Sequence, residues 1–127
     1  MTKEKLIKLL KAHEWNDVEF KEARREVPKS AYETVSAFAN ANGGWIVFGV
    51  TLVKDDYQPV GVELVDKVQN DFLSALRADN KVNHDIGVKE SLITIDGKSI
   101  LAFYIPEAPR HHKPIYLHGD IRQTFIR

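Results

Sequence analysis

The stretch Trp45-Ile46-Val47-Phe48-Gly49-Val50, entered through Gly43-Gly44, decides the fold. It is apolar throughout, with no alternation that would give one face to water. Such a run is a strand covered on both sides, hence the centre of a sheet with helices packed on it. Upstream, Ser30-Ala31-Tyr32-Glu33 matches a capping box in which Ser30 caps a helix and Glu33 bonds back. That helix puts Ala31, Val35, Phe38 and Ala39 on one face and stops at Asn42-Gly43-Gly44, where glycine tolerates the left-handed conformation of a helix end. Asn40 or Asn42 suits a bond to the backbone of that turn.

Further toward the N-terminus, Val18-Glu19-Phe20-Lys21 alternates apolar and charged residues, as a half-buried strand does. Leu6, Ile7, Leu9 and Leu10 form a helix face opposite Lys3, Lys8 and Lys11. Downstream, Lys54-Asp55-Asp56-Tyr57-Gln58-Pro59 reads as a polar turn and Val60-Gly61-Val62 as a neighbouring strand. Val65, Val68, Phe72 and Leu76 recur at helical spacing and predict a helix to about Ala78. Residues 86–95 and 99–105 are strand runs joined at Asp96-Gly97, a strong hairpin signal. Pro106, Pro109 and Pro114 make 106–114 an extended connector, and 115–117 and 123–126 are short strand-like pieces. The order predicts one domain over 1–127, α/β or α+β, with a mixed sheet and about three packed helices. The end at Phe125-Ile126-Arg127, without a terminating turn, suggests the N-terminal part of a longer protein.

At 127 residues the chain can bury a sizeable core without a staple, and it has no cysteine. A disulfide framework, a thiol nucleophile and thiolate zinc sites are thereby excluded. No apolar run reaches the ~18 residues of a membrane span and the start lacks a signal-peptide core, so a cytoplasmic protein is expected. Net charge is zero, with 18 basic and 18 acidic residues, but the distribution is uneven. Residues 1–30 are net +2, 31–109 net −5 and 110–127 net +3. If the ends meet, they form a basic face on a neutral protein. Its candidate nucleic-acid contacts are Lys21, Arg24, Arg25 and Lys29 at the front and Arg110, Lys113 and Arg122 at the back. Arg127 is a further basic candidate, and Trp45, Tyr57 and Tyr116 could stack on bases if exposed.

Neither G-x-x-x-x-G-K-[ST] nor G-x-G-x-x-G occurs, so this segment alone is not a nucleotide-driven motor. Glu14 and Glu19 flank the end of the first helix and the first strand, with Asp17 between them, and convergent carboxylates could hold Mg²⁺ or Mn²⁺ for phosphodiester cleavage. Solvated charges, with Glu19 paired to Lys21 or Arg24, explain the same residues without chemistry. His13, His84, His111, His112 and His118 lack the H-x-x-x-H spacing of a metal pair, and adjacent histidines point apart on an extended chain. No metal is assigned to them.

The Val18–Lys21 strand, the block Val35-Ser36-Ala37-Phe38-Ala39-Asn40, the run Gly43 to Val50 and Val60-Gly61-Val62 together resemble the Schlafen AlbA-like domain. Pro114-Ile115-Tyr116 and Phe125-Ile126-Arg127 resemble its closing elements, and the resemblance covers residues 14–127. It implies a nucleic-acid-binding module, DNA more than RNA, of bacterial transcriptional regulators or RecG-related helicase-like proteins. No cofactor is expected for that role, and homo-oligomerisation stays open. In related ribonuclease domains three carboxylates act, two of which match Glu14 and Glu19. The third follows the G-V strand, where this chain has Thr51-Leu52, leaving Asp55 of the next turn as the substitute. The alternatives are therefore a metal-dependent ribonuclease using Glu14, Glu19 and Asp55, and a protein-interaction or oligomerisation domain.

Overall fold

The computed structural model describes residues 1–12, 17–77 and 81–127. The chain runs through α1 (Lys3–Lys11), β1 (Val18–Lys21), α2 (Lys29–Asn40), β2 (Gly44–Phe48), β3 (Val50–Val53) and β4 (Asp56–Pro59). It continues through α3 (Val65–Ala75), β5 (Lys89–Ile95), β6 (Lys98–Ile105) and a short 3₁₀ turn at Arg110–His112. Four strands form one sheet in the order β1-β2-β6-β5, and β3 pairs with β4 in a separate ribbon. The β1–β2 pair is parallel, while β2–β6 and β5–β6 are antiparallel, so the sheet is mixed and the fold α+β.

The apolar run does form an interior strand. Ile46 and Phe48 of β2 join Leu101, Phe103 and Ile105 of β6 in a core with Val35 and Phe38 of α2 and Val68 and Phe72 of α3. Val47, pointing to the opposite face, packs with Ala102, Val18 and the α1 residues Leu6 and Leu9. Ile46, Val47 and Phe48 are fully buried because helices cover the sheet on both sides, which is why the sequence does not alternate there.

The run is not one strand to Val50. Gly49 takes φ +107, breaks the strand and starts the β3–β4 ribbon. A side chain there would be strained and would press on the Ile100 methyl and the Ser99 carbonyl. The Gly49 carbonyl accepts from the amides of Val60 and Gly61, and Val62 N–H donates to Ser99 O. The 60–62 segment is thus a bonded loop instead of a strand, and the expected polar turn is confined to Lys54 and Asp55, with Asp56–Pro59 in β4. Pairing with β3 supplies what the polar sequence of β4 could not signal.

The capping box does not form either. Pro28 is the N-cap of α2, and the Ser30 hydroxyl, one residue inside the helix, accepts instead from Lys21 Nζ at 3.0 Å. At the other end Gly43, at φ +81, donates to Phe38 O and reverses the chain. β5 begins at Lys89, later than the apolar run suggested, and Asp96 and Gly97 both take positive φ, as a two-residue hairpin requires. The 115–117 and 123–126 pieces make only the isolated bridges Val82–Leu117 and Tyr116–Thr124. Ala78 lies outside the described residues; α3 ends at Ala75. Among the described residues no helix is long and apolar enough to cross a membrane.

Gly44 is the tightest point between α2 and the sheet, since a Cβ there would sit 2.5 Å from the Phe38 ring. Gly44→Ala is expected to cost roughly 1–3 kcal/mol through displacement of that buried ring. Urea denaturation checks it, and an unchanged midpoint would contradict the packing described.

Candidate nucleic-acid interface

Glu19 and Lys21 leave β1 two residues apart, on the same side of the strand. The Glu19 carboxylate is shared by two cations, with Lys21 Nζ at 3.6 Å and Arg127 Nη1 at 2.8 Å. Arg127 also donates to Val18 O, and its guanidinium lies 4.6 Å over the Phe38 ring. The C-terminal Arg127 therefore reaches β1, so the two net-positive ends meet at this point.

Glu14 and His13 lie outside the described residues. Asp55 sits at the tip of the β3–β4 ribbon, exposed and at φ +69. Thr51, in β3 just after Val50, hydrogen-bonds Glu22. Arg24 and Thr51 together hold the Glu22 carboxyl below its ordinary pKa, the hydrogen bond from Arg24 being the larger cause. A divalent ion needs several anionic oxygens around it. Among the described residues no three His, Asp or Glu side chains are grouped to hold one. Glu19 faces two cations instead, so the described residues do not fit a divalent-ion site.

The front arginines sit on the loop between β1 and α2. Arg24 O accepts from the amides of Glu63 and Leu64, and Arg25 O from Lys67 Nζ, which ties this loop to the start of α3. Arg24 Nε pairs with Glu22 at 2.7 Å and Arg25 Nε with Glu63 at 3.2 Å. The groove between them, about 530 Å³, is lined by Glu22, Ala23, Arg24, Arg25, Glu26, Pro28 and Glu63. Carboxylates outnumber guanidinium groups around it, which disfavours a phosphate there.

At the back, Lys113 pairs with Glu107 at 2.9 Å and Arg122 with Asp120 at 3.0 Å, and Arg122 holds the Asp120 carboxyl below its usual range through its side-chain hydrogen bond. Lys29 and Arg110 have no carboxylate partner among the described residues. Tyr57 packs tilted against Phe20 at 4.6 Å, and Trp45 packs edge-on to Tyr104 at 5.2 Å, so those two rings are engaged within the protein.

Sequence reasoning missed the role of Ser36 and Asn40, four residues apart on α2. The Ser36 hydroxyl donates to Ile115 O at 2.7 Å and accepts from Phe125 N–H at 3.0 Å. Asn40 Oδ1 accepts from Ile115 N–H at 2.7 Å, and its Nδ2 donates to Ile115 O and Phe125 O. Asn40 thus bonds the closing segment and not the backbone of its own turn. Two polar residues at helical spacing beside an apolar face were the available signal.

Known proteins share this fold. The model of the family described as Schlafen, AlbA_2 matches residues 14–127. The solution structure of the N-terminal domain of an ATP-dependent DNA helicase RecG-related protein from Nitrosomonas europaea is similar at TM-score 0.78 and 36% identity. That likeness covers 96% of this chain and 84% of that one. The crystal structure of the DIP2311 protein from Corynebacterium diphtheriae shares the fold at TM-score 0.53 and 19% identity, over 90% of this chain and 23% of that one. No curated protein matches the chain. A match across the strand, helix, glycine turn and closing segment alike leaves one assignment: the chain belongs to the Schlafen, AlbA_2 family.

Proposed function

We propose that this chain is a noncatalytic nucleic-acid-binding module, DNA in preference to RNA, acting in the cytoplasm as part of a transcriptional regulator or a RecG-related helicase-like protein. The observation that carries it is the likeness, at 36% identity, to the N-terminal domain of a RecG-related protein named for DNA helicases. Charge geometry ranks the contacts. Lys29 and Arg110 have no carboxylate partner among the described residues and can give their whole charge to phosphate. Lys21 faces Glu19, which also pairs with Arg127, so a phosphate at Lys21 must compete with that carboxylate. Arg24, Arg25, Lys113 and Arg122 each face a carboxylate, so a phosphate must compete with Glu22, Glu63, Glu107 or Asp120. The pairing of Glu19 with two cations favours binding over metal-dependent cleavage.

Fluorescence anisotropy with a labelled DNA duplex at several salt concentrations tests this. Each neutralised phosphate adds about 0.9 to the slope of log affinity against log salt, so a few contacts give a slope of roughly three to four and micromolar or weaker binding. Replacing Lys29 and Arg110 together by Ala is expected to lower that slope by about two, equally on unrelated sequences. Arg24→Ala with Arg25→Ala should lower it less, because those charges are already compensated. Absence of binding at low salt overturns the reading. Mn²⁺-dependent cleavage lost in Glu19→Gln would replace it with a nuclease.

A further inference from the structure

The loop beginning at Lys81 and the connector after β6 are stitched together. Asn83 Nδ2 donates to Pro114 O at 3.1 Å, and its Oδ1 accepts from Tyr116 N–H at 2.9 Å. Val82 bridges to Leu117, and His118 N–H donates to Lys81 O. This stitch lays His84 flat on His112, with ring centroids 4.0 Å apart and parallel planes. His111 stands edge-on to His112 at 4.4 Å. Three imidazoles from two separate segments therefore form one cluster, at the turn that also carries Arg110.

The cluster is not arranged for a metal. Imidazole lone pairs lie in the ring plane, and two parallel planes this far apart share no point about 2.0–2.1 Å from a nitrogen of each. It is arranged for protons. Two imidazolium charges on rings 4.0 Å apart repel, so charging both rings of the stack without a nearby anion is disfavoured. Burial, then His84 and His111, push the His112 imidazole below its ordinary pKa. The charged residues of these segments are Lys81 and Asp85 on one side, and Glu107, Arg110 and Lys113 on the other, with His118 next to Leu117. Lys113 is paired with Glu107, and Lys81 Nζ lies 5.0 Å over the Tyr32 ring.

We infer that the His84, His111 and His112 cluster, with Arg110, is a proton-linked phosphate contact: it takes up protons when a nucleic-acid backbone binds, so affinity rises as pH falls. The inference rests on the nucleic-acid reading above and names the regulation of one part of that surface. A phosphodiester beside the rings supplies the negative charge that an imidazolium stack lacks, raising the imidazole pKa in the complex. Without the ligand the sign is opposite. A His112 pKa below that of the unfolded chain makes the unfolded state bind more protons, so the free protein loses stability as pH falls through the unfolded value. The same protons that weaken the free fold strengthen the complex.

The test is anisotropy with a labelled DNA duplex at low salt, at about pH 7.5 and about pH 6, for the wild type and for His84→Gln with His112→Gln. An upward shift of about one unit in one imidazole on binding gives up to about tenfold tighter binding at the lower pH. The wild type is expected to approach that ratio and the double variant to fall close to one. A parallel NMR titration of the wild-type imidazole resonances needs no variant. Midpoints that rise when the duplex is added support the inference, and unmoved midpoints overturn it. An equal pH ratio in wild type and variant also overturns it, while the nucleic-acid reading stands. Absence of binding at both pH values overturns both.

Discussion

Phe72→Ala is expected to lower the free energy of unfolding by about 3–5 kcal/mol. Phe72 is fully buried on α3, with its ring 4.8 Å from Phe103 of β6, 5.0 Å from Phe48 of β2 and 5.9 Å from Tyr32 of α2. One side chain therefore joins two helices to the two interior strands. Truncation loses its transfer free energy and leaves a cavity walled by three other rings, which cannot collapse without moving the sheet. Domains of this size hold about 5–15 kcal/mol in total, so the change removes a large fraction of it. In urea the midpoint should drop with the slope unchanged. Phe72→Leu, which keeps much of the volume, should lose less. A Phe72→Ala midpoint equal to wild type would mean that α3 is not docked on the sheet.

Asn40→Ala is expected to cost about 2–4 kcal/mol, although it deletes only a small polar group. Asn40 satisfies the N–H and C=O of Ile115 and the C=O of Phe125, and Ile115 is fully buried. Removing the amide strands the Ile115 N–H and the Phe125 C=O, each costing about 1–3 kcal/mol where water cannot replace the partner, while Ser36 still donates to Ile115 O. Asn40→Asp keeps an acceptor for Ile115 N–H but turns a carboxylate toward two carbonyls, and should be at least as harmful. The loss has a place as well as a size. Hydrogen exchange should accelerate most at 115–127, where Ser36 and Asn40 hold the closing segment, and less in β2 and β6. Arg127 should then leave Glu19 more readily. Uniform acceleration across the sheet, or no loss of stability, would contradict this role for Asn40.

Those two residues also mark how far the sequence could be read. Phe72 was visible in it, because Val65, Val68, Phe72 and Leu76 repeat at the period of a helix and periodicity is a local property. The strand from Trp45 to Phe48 was equally visible, since a run without a polar position has no face to give to water. The Asp96-Gly97 hairpin and the reversal at Gly43 were fixed by backbone conformations that few residues adopt. Asn40 was visible as a residue but not as a bond, because its partners lie 75 and 85 positions away and a contact of that separation leaves no period. The β4 strand was hidden for a similar reason, as Asp56-Tyr57-Gln58-Pro59 is extended only through its pairing with β3. The charges show the division most plainly. Sequence supplied every basic residue of the proposed interface, but a lysine reads the same whether or not a carboxylate faces it. Only the tertiary structure set Glu63 against Arg25, gave Glu19 to both Lys21 and Arg127, and left Lys29 and Arg110 without such a partner among the described residues. It also stacked His84 on His112. Local sequence determines which elements form, through periodicity and backbone preference, whereas the fields and hydrogen bonds of a site depend on distances in space that only the closed chain defines.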